Sequence, residues 1–107
     1  MMNRINFHGL ALLGALAAMF ILPSMSAQDA STIFKSKCAA CHGSDGTGSA
    51  LGKKMGAHDW TGAEVQKMSD AELGDIITNG KNKMPKYASL TPEQVKGLVG
   101  YIRTMKK

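Results

Sequence analysis

Apolar residues fall into four patterns along the chain, and each predicts a different piece of structure. From Leu10 to Leu22 the chain runs apolar without a charge, behind one basic residue, Arg4. Beyond that run the apolar positions become periodic. A helix predicted from Asp29 to Ala40 puts Ala30, Phe34, Cys38 and, just past it, Cys41 on one face. Leu73, Ile76 and Ile77 take helical spacing from Ser69 to Asn79, and Gly80 follows as a C-cap. Val95, Leu98, Val99 and Ile102 form one stripe of a last helix, with Lys106 and Lys107 at its carboxyl end, where cations complement the helix dipole. Three S/T-x-x-E/Q signatures predict helix starts: Thr61 with Glu64, Ser69 with Glu72, and Thr91 with Gln94, the last with Pro92 at the first helical position. No alternating strand pattern occurs, so the expected fold class is all-α, with three to four short helices.

The unperiodic run has the form of a secretory leader. Arg4 supplies a positive start, Pro23 breaks the apolar stretch, and the small residues Ser24, Ser26 and Ala27 suit cleavage just after Ser26 or Ala27. Residues 1–27 are therefore expected to be a signal peptide and residues 28–107 one exported domain. The run is well short of the roughly 20 residues that span a bilayer, and it holds no cysteine for lipid attachment. The expectation is a periplasmic protein with no stable membrane anchor.

About 80 residues bury too little surface for a generous core, so such a domain needs a staple. The chain has only two cysteines, in Cys38-Ala-Ala-Cys41-His42. A disulfide between them would close a tiny loop and restrain the unfolded chain little. C-x-x-C-H is instead the attachment pattern of a c-type haem. Two thiols three residues apart on one helical turn point the same way, so both can add as thioethers to the vinyl groups of one haem c. The next residue, His42, then reaches the iron as its proximal ligand.

The segment from His42 to Trp60 is rich in glycine: Gly43, Gly46, Gly48, Gly52 and Gly56. It matches neither G-x-G-x-x-G nor G-x-x-x-x-G-K-[ST], which argues against a nucleotide site. Glycine lets backbone approach a ligand, so the segment is expected to wrap one edge of the cofactor. For the second iron ligand the candidates are Met55, Met68, Met84, Met105 and His58. Met84 stands out because Asn79-Gly80-Lys81-Asn82-Lys83-Met84-Pro85 is an irregular segment between two predicted helices, stiffened by proline. Met68 and Met105 sit at the ends of amphipathic segments, where a thioether fills core space. His58 is the rival, and a bis-histidine iron would have the lower potential.

The order Phe34, Cys38, Cys41, His42, Met84, Pro85, Leu98, Tyr101 resembles the class I cytochromes c, small monohaem electron carriers, over the whole predicted mature chain. The resemblance implies a cytochrome c fold wrapped around one covalently attached haem with its iron. It also implies crossed terminal helices, with Phe34 against Leu98 and Tyr101. Ala30 stands where relatives commonly have glycine, and is small enough for a close crossing. Trp60 matches aromatic donors that bond a haem propionate in the family, while filling the core is its equally weighted role. One departure matters. Many relatives carry a proline after the haem histidine whose carbonyl accepts the imidazole N–H, and here no proline stands between Pro23 and Pro85. The acceptor for His42 is left unnamed, and with it a determinant of the potential.

Charge bears on partners. The predicted mature chain has 11 Lys and one Arg against eight carboxylates, a net +4. Lys81, Lys83 and Lys86 surround Met84, and Lys53 and Lys54 lie in the glycine-rich segment. This arrangement predicts a basic rim that steers redox partner proteins with acidic docking surfaces. Basic and acidic residues are interspersed and no recognition motif accompanies them, which argues against nucleic acid. The expected function is single-electron transport by a monomer that is not an enzyme. The rivals are a haem sensor or small peroxidase with an open distal site, and a haem-free dithiol oxidoreductase using Cys38 and Cys41, although no β pattern accompanies the cysteines.

Overall fold

Three of the helices begin where the hydroxyl of Ser49, Ser69 or Thr91 accepts a backbone N–H that the first turn leaves without a partner. In the computed structural model, which describes residues 27–107 together with the isolated Gly14 and Ala18, six helices follow one another: α1 (Ala27–Lys37), α2 (Ala39–His42), α3 (Ala50–Lys54), α4 (Ala63–Gln66), α5 (Asp70–Asn79) and α6 (Pro92–Thr104). The expected signal peptide lies, but for Gly14, Ala18 and Ala27, outside the described residues. No strand is present among the described residues, and no helix among them is long and apolar enough to cross a membrane.

The longer helices α1, α5 and α6 are the ones the apolar pattern predicts. Ser69 and Thr91 each accept the backbone N–H of the residue three positions on, while Glu72 and Gln94 bond back to the cap amides, so both capping boxes are complete. Gly80 ends α5 with φ +75°, a conformation that disfavours any side chain. The third signature fails. The Thr61 hydroxyl donates to Asp59 Oδ1 at 2.6 Å, and α4 starts one residue later with Gly62 as its cap. A two-residue Asx contact beats the cap because the acceptor carboxylate is charged.

α1 also stops earlier than predicted. Cys38 has φ −117° and ψ −37°, and α2 resumes behind it. Cys38 N–H still bonds Phe34 O at 2.9 Å, so the break re-aims the helix without separating its halves.

The core lies between α1, α5 and α6. Phe34, 1% exposed, meets Tyr101 of α6 with ring centroids 5.1 Å apart and Trp60 at 5.4 Å. Ala30 is buried on the same face of α1, as its small size allows. Leu73 and Ile77 from α5 and Leu98, Val99 and Ile102 from α6 complete the cluster. Two polar side chains fasten the short elements to this core. Gln66 donates to the carbonyls of Trp60 and Ile102, at 2.6 and 3.0 Å. Arg103 donates to the carbonyls of Gln66 and Met68 and to Asp70 Oδ1.

Candidate functional site

Around the break at Cys38, the end of α1 and the last two residues of α2 face a cavity of about 490 Å³. Cys38, Cys41 and His42 form one part of its wall, and Met84 and Pro85, from the connection between α5 and α6, form another. Between them the wall is apolar, with Phe34, Leu73, Ile77, Leu98 and Ile102 exposing core side chains to the cavity. A wider and shallower depression of about 750 Å³ lies between α5 and α6, and no His, Cys or Met lines it.

The two thiols form no disulfide. Burial pushes the Cys38 thiol up to about 11, against a weaker opposing pull from the Lys37 charge. A dithiol oxidoreductase needs the reverse, a thiolate made easy by its surroundings. His42 has a lowered pKa, first because it is buried and then because His58 is near. The neutral imidazole that results is the metal-binding form. Its Nδ1 is buried and has no hydrogen-bond partner among the described residues, and its ring stacks on Trp60 with centroids 4.1 Å apart and planes at 29°. Two unpaired thiols, a neutral imidazole, a thioether and an apolar slot are the donor set and surface that a covalently attached haem requires. Among the described residues no cluster of His, Cys, Asp and Glu could hold a separate metal ion.

The structure narrows the distal candidates. Met55, Met68, Met84 and His58 all line the cavity, whereas Met105 does not and packs instead against the core. Met55 is 40% exposed, and the His58 side chain is 63% exposed at the cavity rim, its Nδ1 3.5 Å from Glu64 Oε1. Met84 is half-buried in a segment fixed by its own backbone: Lys81 and Met84 exchange N–H to O bonds of 3.2 and 2.9 Å around Asn82, whose φ is +52°.

Trp60 is buried at the cavity wall, against Phe34 and His42. The glycine-rich segment departs from expectation, since only Gly56 of its five glycines lines the cavity. Gly52 instead lets α3 lie directly on the backbone of α2, where any Cβ would overlap the Cys41 carbonyl oxygen. Of the basic rim, Lys81 and Lys83 line the cavity, with Lys37 besides, while Lys53, Lys54 and Lys86 are exposed outside its wall. Tyr87 also lines it, and no local sequence signal marks that residue.

The family model described as cytochrome c oxidase, cbb3-type, subunit III, matches residues 26–102. Among solved structures, the KustC0563 c-type cytochrome is similar at 37% identity and a TM-score of 0.67, over 73% of this chain and 98% of that one. A tyrosine-to-phenylalanine mutant of Kustc0563 is similar at 38% identity and a TM-score of 0.65, over 73% and 99%. No curated protein matches. With its C-x-x-C-H turn set in an all-helical cytochrome c fold, the chain belongs to this family of small c-type cytochrome domains, haem-based electron carriers.

Proposed function

We propose that the chain carries single electrons between redox partner proteins in the periplasm, through one haem c bonded to Cys38 and Cys41 and ligated by His42 and Met84. The observation that carries this reading is that His42 and Met84, the latter on a stiff loop, line the same largely apolar cavity as both thiols. The bound group supplies a one-electron couple. The protein's part is to attach, ligate and shield. Thioether bonds from Cys38 and Cys41 prevent loss of the group after export. With the His42 imidazole and the Met84 thioether both holding the iron, no site would be left for substrate, which would separate a carrier from a sensor or peroxidase. Burial among Phe34, Leu98 and Ile102 and the soft sulfur of Met84 favour the reduced state and raise the potential. Trp60 holds the His42 ring in place by stacking, and its indole N–H serves a propionate. The partner faces the cavity mouth, where Lys37, Lys81 and Lys83 attract acidic surfaces.

Optical spectra of the purified exported protein test the reading. Covalent haem c spectra, a ferric charge-transfer band from methionine sulfur and no carbon monoxide binding to the reduced protein are expected. In Met84→Ala the band disappears and the potential falls. Retention of both excludes Met84, and ready carbon monoxide binding by the native protein favours an open distal site.

A further inference from the structure

The break that presents Cys38 strands a carbonyl. In an unbroken helix the Cys41 N–H would return to Lys37 O, but here it bonds Cys38 O at 3.2 Å. Lys37 O is taken up from 50 positions away: the Tyr87 hydroxyl donates to it at 2.9 Å. The backbone N–H of the same residue donates to Ile77 O of α5 at 3.0 Å. Tyr87 is thus bonded to α5 through its backbone and to the end of α1 through its side chain, beside the first cysteine.

Met84 lies three residues before Tyr87, with Pro85 between them. Its loop is stiff. The Lys81–Met84 pair closes it, and Gly80, at φ +75°, sits so close under it that a Cβ there would be 2.7 Å from Met84 O. A stiff loop moves as a body, so the position of its sulfur is set at its two ends. One end is the C-cap of α5, which fixes the loop relative to α5 alone. The other is Tyr87, whose hydroxyl bond measures the loop against the segment that carries Cys38, Cys41 and His42.

We propose that Tyr87 is a positioning residue which, through its hydroxyl bond to Lys37, holds the Met84 loop at its working distance from the cysteine and histidine segment. The proposal rests on the reading of Met84 as an iron ligand. Without the hydroxyl the loop still forms, but it swings away from α1 more often.

The test uses the holoprotein with Tyr87→Phe, which keeps the ring and removes the hydroxyl, and Ser69→Ala, which breaks the distant cap of α5. Imidazole is the probe, because it binds ferric iron only when the thioether has left, so its apparent affinity reads the open fraction of the loop. In Tyr87→Phe the methionine-to-iron band persists at neutral pH and imidazole binds about two- to tenfold more tightly, the range expected for one neutral hydrogen bond. In Ser69→Ala the unfolding midpoint falls while imidazole affinity stays at the wild-type value. Unchanged affinity in Tyr87→Phe, or an equal rise in Ser69→Ala, overturns the positioning role. A wild-type ferric protein without the band overturns Met84 ligation itself, and this role with it.

Discussion

The imidazole of His42 lies stacked on the indole of Trp60, centroids 4.1 Å apart, and the Phe34 ring is tilted against the same indole at 5.4 Å. One aromatic thus joins the core of the terminal helices to the residue that follows the cysteines. Trp60→Ala removes both contacts and leaves a void beside His42. It is expected to cost about 3–5 kcal/mol of stability. Urea unfolding of the holoprotein checks this, and a loss below about 1 kcal/mol would show that the stack contributes little.

Two glycines predict opposite outcomes for the same substitution. Gly52→Ala forces a Cβ into the Cys41 carbonyl, so the corner between α2 and α3 must open despite the better helix propensity of alanine. Destabilisation by about 1–3 kcal/mol is expected, together with reduced haem incorporation during maturation. Gly100→Ala meets nothing within 4 Å on α6 and should stabilise by about 0.4–1 kcal/mol. Thermal melts of the two variants side by side decide the matter.

Asp59 carries a pH signature. Its pKa is lowered from 3.8, chiefly by the bond from the Thr61 hydroxyl and then by the Thr61 backbone N–H. A carboxylate depressed on folding contributes stability that is fully present above the unfolded value and is lost as pH falls through the folded one. The window therefore lies at and below pH 3.8. Asp59→Asn is expected to flatten the acid limb of the melting-temperature profile there and to leave its shape above pH 5 unchanged. An acid limb of wild-type steepness would count against the assignment.

The lysines at the cavity mouth predict a salt effect. Electron-transfer rates with the natural partner should drop as ionic strength rises, because exposed charges are screened beyond about 10 Å at 0.1 M salt. Reversing Lys81 and Lys83 together to Glu should slow transfer at low salt and flatten that dependence. Stopped-flow kinetics across a salt series measure both, and a flat wild-type profile removes the basic-rim reading.

How much of this was legible beforehand depended on how far apart the interacting groups stand. The capping boxes at Ser69 and Thr91 were readable because donor and acceptor lie within four residues. Thr61 looked identical, yet its hydroxyl was captured by Asp59 on the other side. Gly52 read as a ligand-facing glycine because composition marks small residues without saying what approaches them, and the approach turned out to be backbone from α2.

The chain by itself determined its three longer helices, their apolar faces and the chemistry of Cys38, Cys41 and His42, since periodicity, caps and a five-residue motif are encoded locally, whereas the short helices α2, α3 and α4 were set by tertiary contacts. Only the tertiary structure decided which sulfur and imidazole side chains share the cavity, that Trp60 stacks on His42, and that Tyr87 reaches Lys37. Those relationships join residues tens of positions apart, brought together by burial of the faces of α1, α5 and α6. Burial constrains which faces meet and leaves no mark on the individual residues that end up in contact.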